Sequence, residues 1–179
     1  MSNTARHIVR QLKSKGVKVL AFDFDETILN IHTGGFWTRD PNLLLPHVRP
    51  SMVSLIQPGM ESGLHVCVVT FSGQVSLIRH VLEQSLPKSC DISKILIRGS
   101  TSDWLPVEDI PDAGKLQHIA SVVAELTVTY GVSIDPEEVF LLDDDNTNVD
   151  SAREFGHKAF LVTKAFSHDK LNDYIKQIQ

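Results

Sequence analysis

The chain has 179 residues and a formal net charge of −5 at pH 7, with 42% apolar and 22% charged residues. That composition suits a folded globular protein and excludes disorder, collagen and a coiled coil as the main state. No apolar run approaches the roughly 18 residues of a membrane span, no dense Lys/Arg block suggests a nucleic-acid surface, and two cysteines, Cys67 and Cys90, are too few for a disulfide framework. The polar, basic N-terminus lacks the apolar centre of a secretory signal, so a reducing, cytoplasmic setting is expected. The acidity is local. Seven of the 22 acids (Asp23, Asp25, Glu26, Asp143, Asp144, Asp145 and Asp150) crowd into two short pieces, and the 17 Lys and Arg outnumber the remainder. Clustered carboxylates repel one another unless something positive sits among them.

In chain order, Ile8, Val9 and Leu12 form one stripe of an amphipathic helix over 3–15, with Gly16 as its stop. A strand over 17–22 ends at Asp23. Residues 30–46 carry Gly34, Gly35, Pro41 and Pro46 and read as loop. A short helix over 48–57 is expected to end before Pro58-Gly59. A strand over 64–69 ends at Thr70, and a helix over 74–86 stops at Pro87. A third strand covers 95–97, a loop 99–113, and a helix 115–130 ending at Gly131. A fourth strand, 139–142, runs into Asp143; a helix over 148–155 stops at Gly156; a fifth strand covers 159–162. Ser167 caps the last helix. Apolar strands alternating with helices predict an α/β fold of one domain spanning 1–179. It is a three-layer, Rossmann-like sandwich with a five-stranded parallel sheet and the N-terminal helix packed on its core.

Ligands bind such sheets beyond the carboxyl ends of the strands. Those ends carry Asp23, Thr70 and Asp143-Asp144, and Lys115 opens a helix after the third strand. Two Asp at i and i+2, Asp23 and Asp25, can divide nucleophilic and acid/base work at a phosphorus atom. Acids ending another strand offer hard oxygen ligands suited to Mg²⁺. A divalent ion would screen the repulsion between carboxylate and phosphate, and Lys115 would add a second positive charge. Thr70 would donate a hydroxyl hydrogen bond to phosphate, with Ser72 as a near rival.

These residues match a family. The chain resembles the haloacid dehalogenase-like (HAD) superfamily of aspartyl phosphatases from Val17 to Val162. An apolar strand followed by D-x-D-x-[TV] stands as Phe22-Asp23-Phe24-Asp25-Glu26-Thr27. A strand ending in Thr stands as Val66 to Thr70, a lysine at a helix start as Gly114-Lys115, and an acidic pair as Leu142-Asp143-Asp144, with Asn148 farther on. The resemblance implies a phosphatase in which Asp23 forms a phosphoaspartate and Asp25 is general acid/base. It also implies Mg²⁺ held by Asp23, Asp144 with Asp143 beside it, and the Asp25 carbonyl. Three acids in a row allow two registers; the distance to Asn148 favours Asp143-Asp144. Two subgroups are resembled, small magnesium-dependent phosphatases and protein phosphatases of the polymerase C-terminal repeat (here through Arg49-Pro50).

Family members often carry a lid. After the predicted helices and strands are set aside, residues 28–46 and 99–113 remain, too few for an independent domain, which needs roughly 40. A minimally lidded enzyme with an open site is expected. Its substrate would be a phosphorylated protein or a small molecule covered by a neighbouring subunit, with Phe36, Trp37 and Trp104 near the entrance. Other readings stay open at this level: a phospho-accepting receiver-like module, an idle scaffold, or turn and cap roles for Asp23 and Asp25. A calcium loop does not fit, since neither register after Asp143 has Gly at the sixth position and Glu at the twelfth. The eight His show no zinc spacing.

Overall fold

The structure is a computed structural model describing residues 3–178. Among these, β1 (Val19–Phe22), β2 (His65–Val69), β3 (Leu96–Arg98), β4 (Val139–Asp143) and β5 (Lys158–Leu161) form one sheet. All neighbours are parallel, in the order β3-β2-β1-β4-β5. The strands are apolar on both faces because both faces are covered. Leu20, Phe22, Val66, Val68, Phe140 and Leu142 point to one side, where α1 (Asn3–Ser14), α2 (Pro50–Glu61), α3 (Val75–Ser85) and α6 (His168–Gln177) pack. Val19, Ala21, Cys67, Val69, Val139 and Leu141 point to the other, under α4 (Leu116–Tyr130) and α5 (Asn146–Phe155). This is the expected α/β sandwich. In α1 the stripe of Ile8, Val9 and Leu12 is buried and packs against α2 and α6.

One boundary differs by more than end fraying. The Pro58-Gly59 pair does not stop α2, which continues to Glu61. Pro58 lacks an N–H and forfeits one helical bond. Burial of Leu55, Ile56, Gln57, Pro58 and Gly59 outweighs that loss. Gly59 faces the sheet, where a Cβ would meet Val66 at 3.4 Å and Leu20 at 3.5 Å, ordinary contact distances.

The two loop segments stay largely irregular. The first gains a 3₁₀ turn over Pro41–His47, whose preceding Asp40 accepts from the Asn42 N–H at 2.9 Å. The second has no regular element between β3 and α4. Neither adds a strand to the sheet.

Candidate active site

The chain runs β1-β2-β3 in one direction across the sheet, then returns to lay β4 on the other side of β1. The strand order reverses between β1 and β4, which opens a crevice at their carboxyl ends. The register pairs Phe22 with Leu142, so the next residues, Asp23 and Asp143, stand side by side. The Asp23 N–H bonds the Leu142 carbonyl at 2.9 Å. Oxygen atoms of Asp23, Asp143 and Asp144 lie within 4.8 Å of one another. They line a cleft of about 320 Å³ with Asp25, Thr70, Ser72 and Lys115.

Asp23 is 5% exposed and Lys115 3%. The Lys115 ammonium donates to Asp23 Oδ1 at 2.9 Å and rests 3.8 Å from the centre of the Phe71 ring, a cation–π contact. Burial pushes the Asp23 carboxyl up to about 8; Lys115 pulls against that shift, and Asp143 and Asp144 add to it. Burial likewise raises Asp143, to about 6, against hydrogen bonds from Asn148 and the Asp145 N–H and the charge of Lys115. Asp144 is raised mainly by burial. Three carboxyls gathered out of water resist joint ionisation, and a hard cation among their oxygens would relieve that. The donor set therefore fits a divalent ion of the Mg²⁺ type.

Each acid is held separately. Asn148 donates to both oxygens of Asp143, at 3.0 and 3.1 Å. Thr27 donates to Asp144 at 3.3 Å. Of the three consecutive acids, Asp145 caps α5 by accepting from the Thr147 N–H at 2.7 Å, while Asp143 and Asp144 gather with Asp23 and Asp145 does not join that group. Gly114, with φ +50°, lets the start of α4 meet α5; a Cβ there would fall 3.1 Å from both Cα and Oδ1 of Asn148.

Asp25 lines the cleft, but its carboxylate lies outside the three-oxygen cluster. It accepts from the Thr33 hydroxyl at 2.9 Å and the Thr33 N–H at 3.2 Å. The turn that presents it, Phe24–Ile28, places Glu26 at φ +52°, a left-handed conformation costly for a residue with a Cβ. Thr70 Oγ1 accepts from the Ser72 N–H at 3.1 Å, which leaves its own proton to donate. Ser72 accepts from the Gln74 N–H at 3.3 Å; both hydroxyls line the cleft.

The aromatic expectations divide. Trp37 does not line this cleft: its backbone is clasped by the Gln74 side chain, its indole N–H bonds the Asp40 carbonyl at 3.2 Å, and it packs on the core. Phe36 is 74% exposed. Trp104 lines a second cleft beside the first. Sequence reasoning missed Phe71 and Thr33. Neither ends a strand or repeats a spacing, and each arrives from a loop. Asn148, five positions past Asp143 on a helix, was the legible one.

No family model and no curated protein matches the chain. Solved structures share its fold. One is the N-terminal part of a Bacteroides fragilis protein, containing a phosphatase domain and complexed with Mg; it is 15% identical with a TM-score of 0.57 over 94% of this chain and 41% of that one. The present chain thus spans less than half of that relative. Another is the HAD domain of the Legionella pneumophila effector protein Lem4, in an inactive mutant; it is 11% identical with a TM-score of 0.53 over 90% of this chain and 92% of that one. With carboxylates at the ends of β1 and β4 where the strand order reverses, the chain shares its fold with that HAD domain and that phosphatase domain.

Proposed function

We propose that the chain is a Mg²⁺-dependent phosphomonoesterase that works through Asp23, all of residues 1–179 serving one catalytic domain. The observation that carries this reading is the convergence of Asp23, Asp143 and Asp144 within 4.8 Å, with the Lys115 ammonium on Asp23. Asp23, Asp143, Asp144 and the Asp25 carbonyl would hold Mg²⁺, which when bound offsets the charge of phosphate and carboxylate.

Lys115 grips Oδ1 of Asp23 and orients the carboxylate. An Asp23 oxygen attacks phosphorus, the bond from phosphorus to the alcohol oxygen breaks, and Asp25 delivers a proton to that oxygen. Asp25 then takes a proton from water; the water oxygen bonds to phosphorus, the bond from phosphorus to Asp23 breaks, and free phosphate leaves. Thr33 keeps the Asp25 carboxylate in place for both proton transfers. The Thr70 and Ser72 hydroxyls and the Lys115 ammonium contact the phosphoryl oxygens. The open cleft admits an ester on a protein or a small molecule.

A receiver-like module is disfavoured by the strand order β3-β2-β1-β4-β5, since receivers use the flavodoxin-like order 2-1-3-4-5. Hydrolysis of p-nitrophenyl phosphate and ribose 5-phosphate, with and without Mg²⁺, tests the proposal. Asp23→Asn should lower kcat by at least about a thousandfold with an unchanged circular dichroism spectrum. Turnover that survives this substitution overturns the assigned nucleophile.

A further inference from the structure

A second cleft of about 330 Å³ adjoins the first, lined by Ser100, Thr101, Trp104, Pro106, Asp112 and His118 among others. The two share a wall of stacked rings. Phe71, which lines the first cleft and carries the Lys115 ammonium, meets His118 edge-on with ring centres 5.3 Å apart. His118 in turn lies 5.0 Å from the Trp104 ring, which continues into the second cleft. A row of three rings thus leads from the phosphate end to an indole.

The second cleft is preformed. The Trp104 indole N–H bonds the Gly99 carbonyl at 2.7 Å. Gln117 clasps the loop by accepting from the Val107 N–H at 2.8 Å and donating to the carbonyls of Val107 and Ile110 at 3.2 and 2.6 Å. Little ordering remains to be done when a ligand arrives. His118 is 6% exposed and shares a 3.3 Å hydrogen bond with Ser100 through Nε2, yet its Nδ1 is buried without a partner. Folded proteins seldom leave a buried polar atom so. The exposed Asp112 carboxylate supplies an acceptor in the lining of the second cleft.

We infer that this cleft is a subsite for the alcohol half of the substrate, taking a planar heteroaromatic ring carried several bonds away from the phosphate, as in a mononucleotide. The inference rests on the phosphatase reading above. The spacer follows from the wall: Phe71 and His118 stand between Lys115 and Trp104, so a ring bonded directly to the ester oxygen stops at Phe71. An aromatic floor suits stacking on a base, and the carboxylate suits the N–H donors on its edge.

Three esters compared in Mg²⁺ test this: adenosine 5′-monophosphate (ring on a spacer), ribose 5-phosphate (spacer alone) and p-nitrophenyl phosphate (ring without spacer). Trp104→Ala and His118→Asn should each lower kcat/KM for the nucleotide about 10-fold and leave the other two within about twofold. Trp104→Phe should keep most of the nucleotide activity. An equal loss on all three esters, or no loss on the nucleotide, overturns the subsite. So does a wild-type enzyme that hydrolyses the other two and not the nucleotide. A wild-type protein that hydrolyses none of the three sinks the phosphatase reading, and this inference with it.

Discussion

Asp143 is fully buried, and what makes that tolerable is local: both of its oxygens accept from Asn148. Asn148→Leu keeps the volume and removes the donors. It should cost about 1–3 kcal/mol, the penalty of stranding a buried charged group, and lower the melting temperature by roughly 2–4 °C per kcal/mol. Mg²⁺ affinity in a calorimetric titration should fall about 10-fold, as when a partner that orients a metal ligand is lost. Gly114→Ala attacks the same place from the other side. Its φ of +50° strains an alanine, and the new Cβ at 3.1 Å from Asn148 pushes α5 away. Stability and Mg²⁺ affinity should fall together; a shift in neither would show that α4 and α5 do not need this contact. The residues legible in sequence were those whose place in the cleft follows from ending a strand: Asp23, Thr70, Asp143 and Asp144. Thr33 and Phe71 were not legible, because the folding of loops brings them there.

At the scale of elements, the turn Phe24–Ile28 bends the chain sharply enough to force Glu26 left-handed. Arg49 secures it. The guanidinium donates to the carbonyls of Glu26 at 3.1 Å and Leu29 at 3.2 Å and reaches Thr163 at 3.5 Å, joining this turn to the loop after β5. Arg49→Ala should cost about 1–3 kcal/mol in thermal or urea unfolding. It should also lower kcat more than KM, since Asp25 and Thr27 ride on the freed turn. An unchanged kcat would show that the turn holds its shape alone. Arg49-Pro50 carries a subgroup resemblance in the sequence; in the structure Arg49 clamps a strained turn and Pro50 starts α2. α2 outruns its sequence expectation because packing of the buried Pro58-Gly59 segment overrides the breaking tendency of the pair.

Over the whole molecule, the cluster of acids and the buried His118 act on stability in opposite pH windows. Asp143 and Asp23 are raised to about 6 and about 8 from an ordinary value near 3.8. The metal-free fold keeps protons that the unfolded chain has released. The stability this lends is full below about pH 4 and is lost as pH rises through 6 and then 8. Mg²⁺ supplies the missing positive charge, so its addition should raise the melting temperature more at pH 8 than at pH 5; an equal gain at both would count against the acids as its ligands. His118 is pushed down to about 4, first by burial and then by Lys115 and Arg98. An unfolded histidine near 6.5 takes up a proton that the folded one refuses. That stability is full above about pH 6.5 and lost as pH falls to 4. His118→Asn should flatten this acid limb by on the order of 2 kcal/mol, measured by unfolding across pH 4 to 7.

The sequence by itself determined the alternation of strands and helices, the parallel sheet and the acids at the ends of β1 and β4, because apolar period and strand-terminal residues are local properties. Tertiary structure alone decided the strand order that sets β1 against β4, the reach of α2 past Pro58, and the release of Asp145 to cap α5. It also decided the wall of Phe71, His118 and Trp104 between two clefts. These depend on which surfaces meet after the chain crosses the sheet, and burial against a distant element can outweigh any preference written in neighbouring residues.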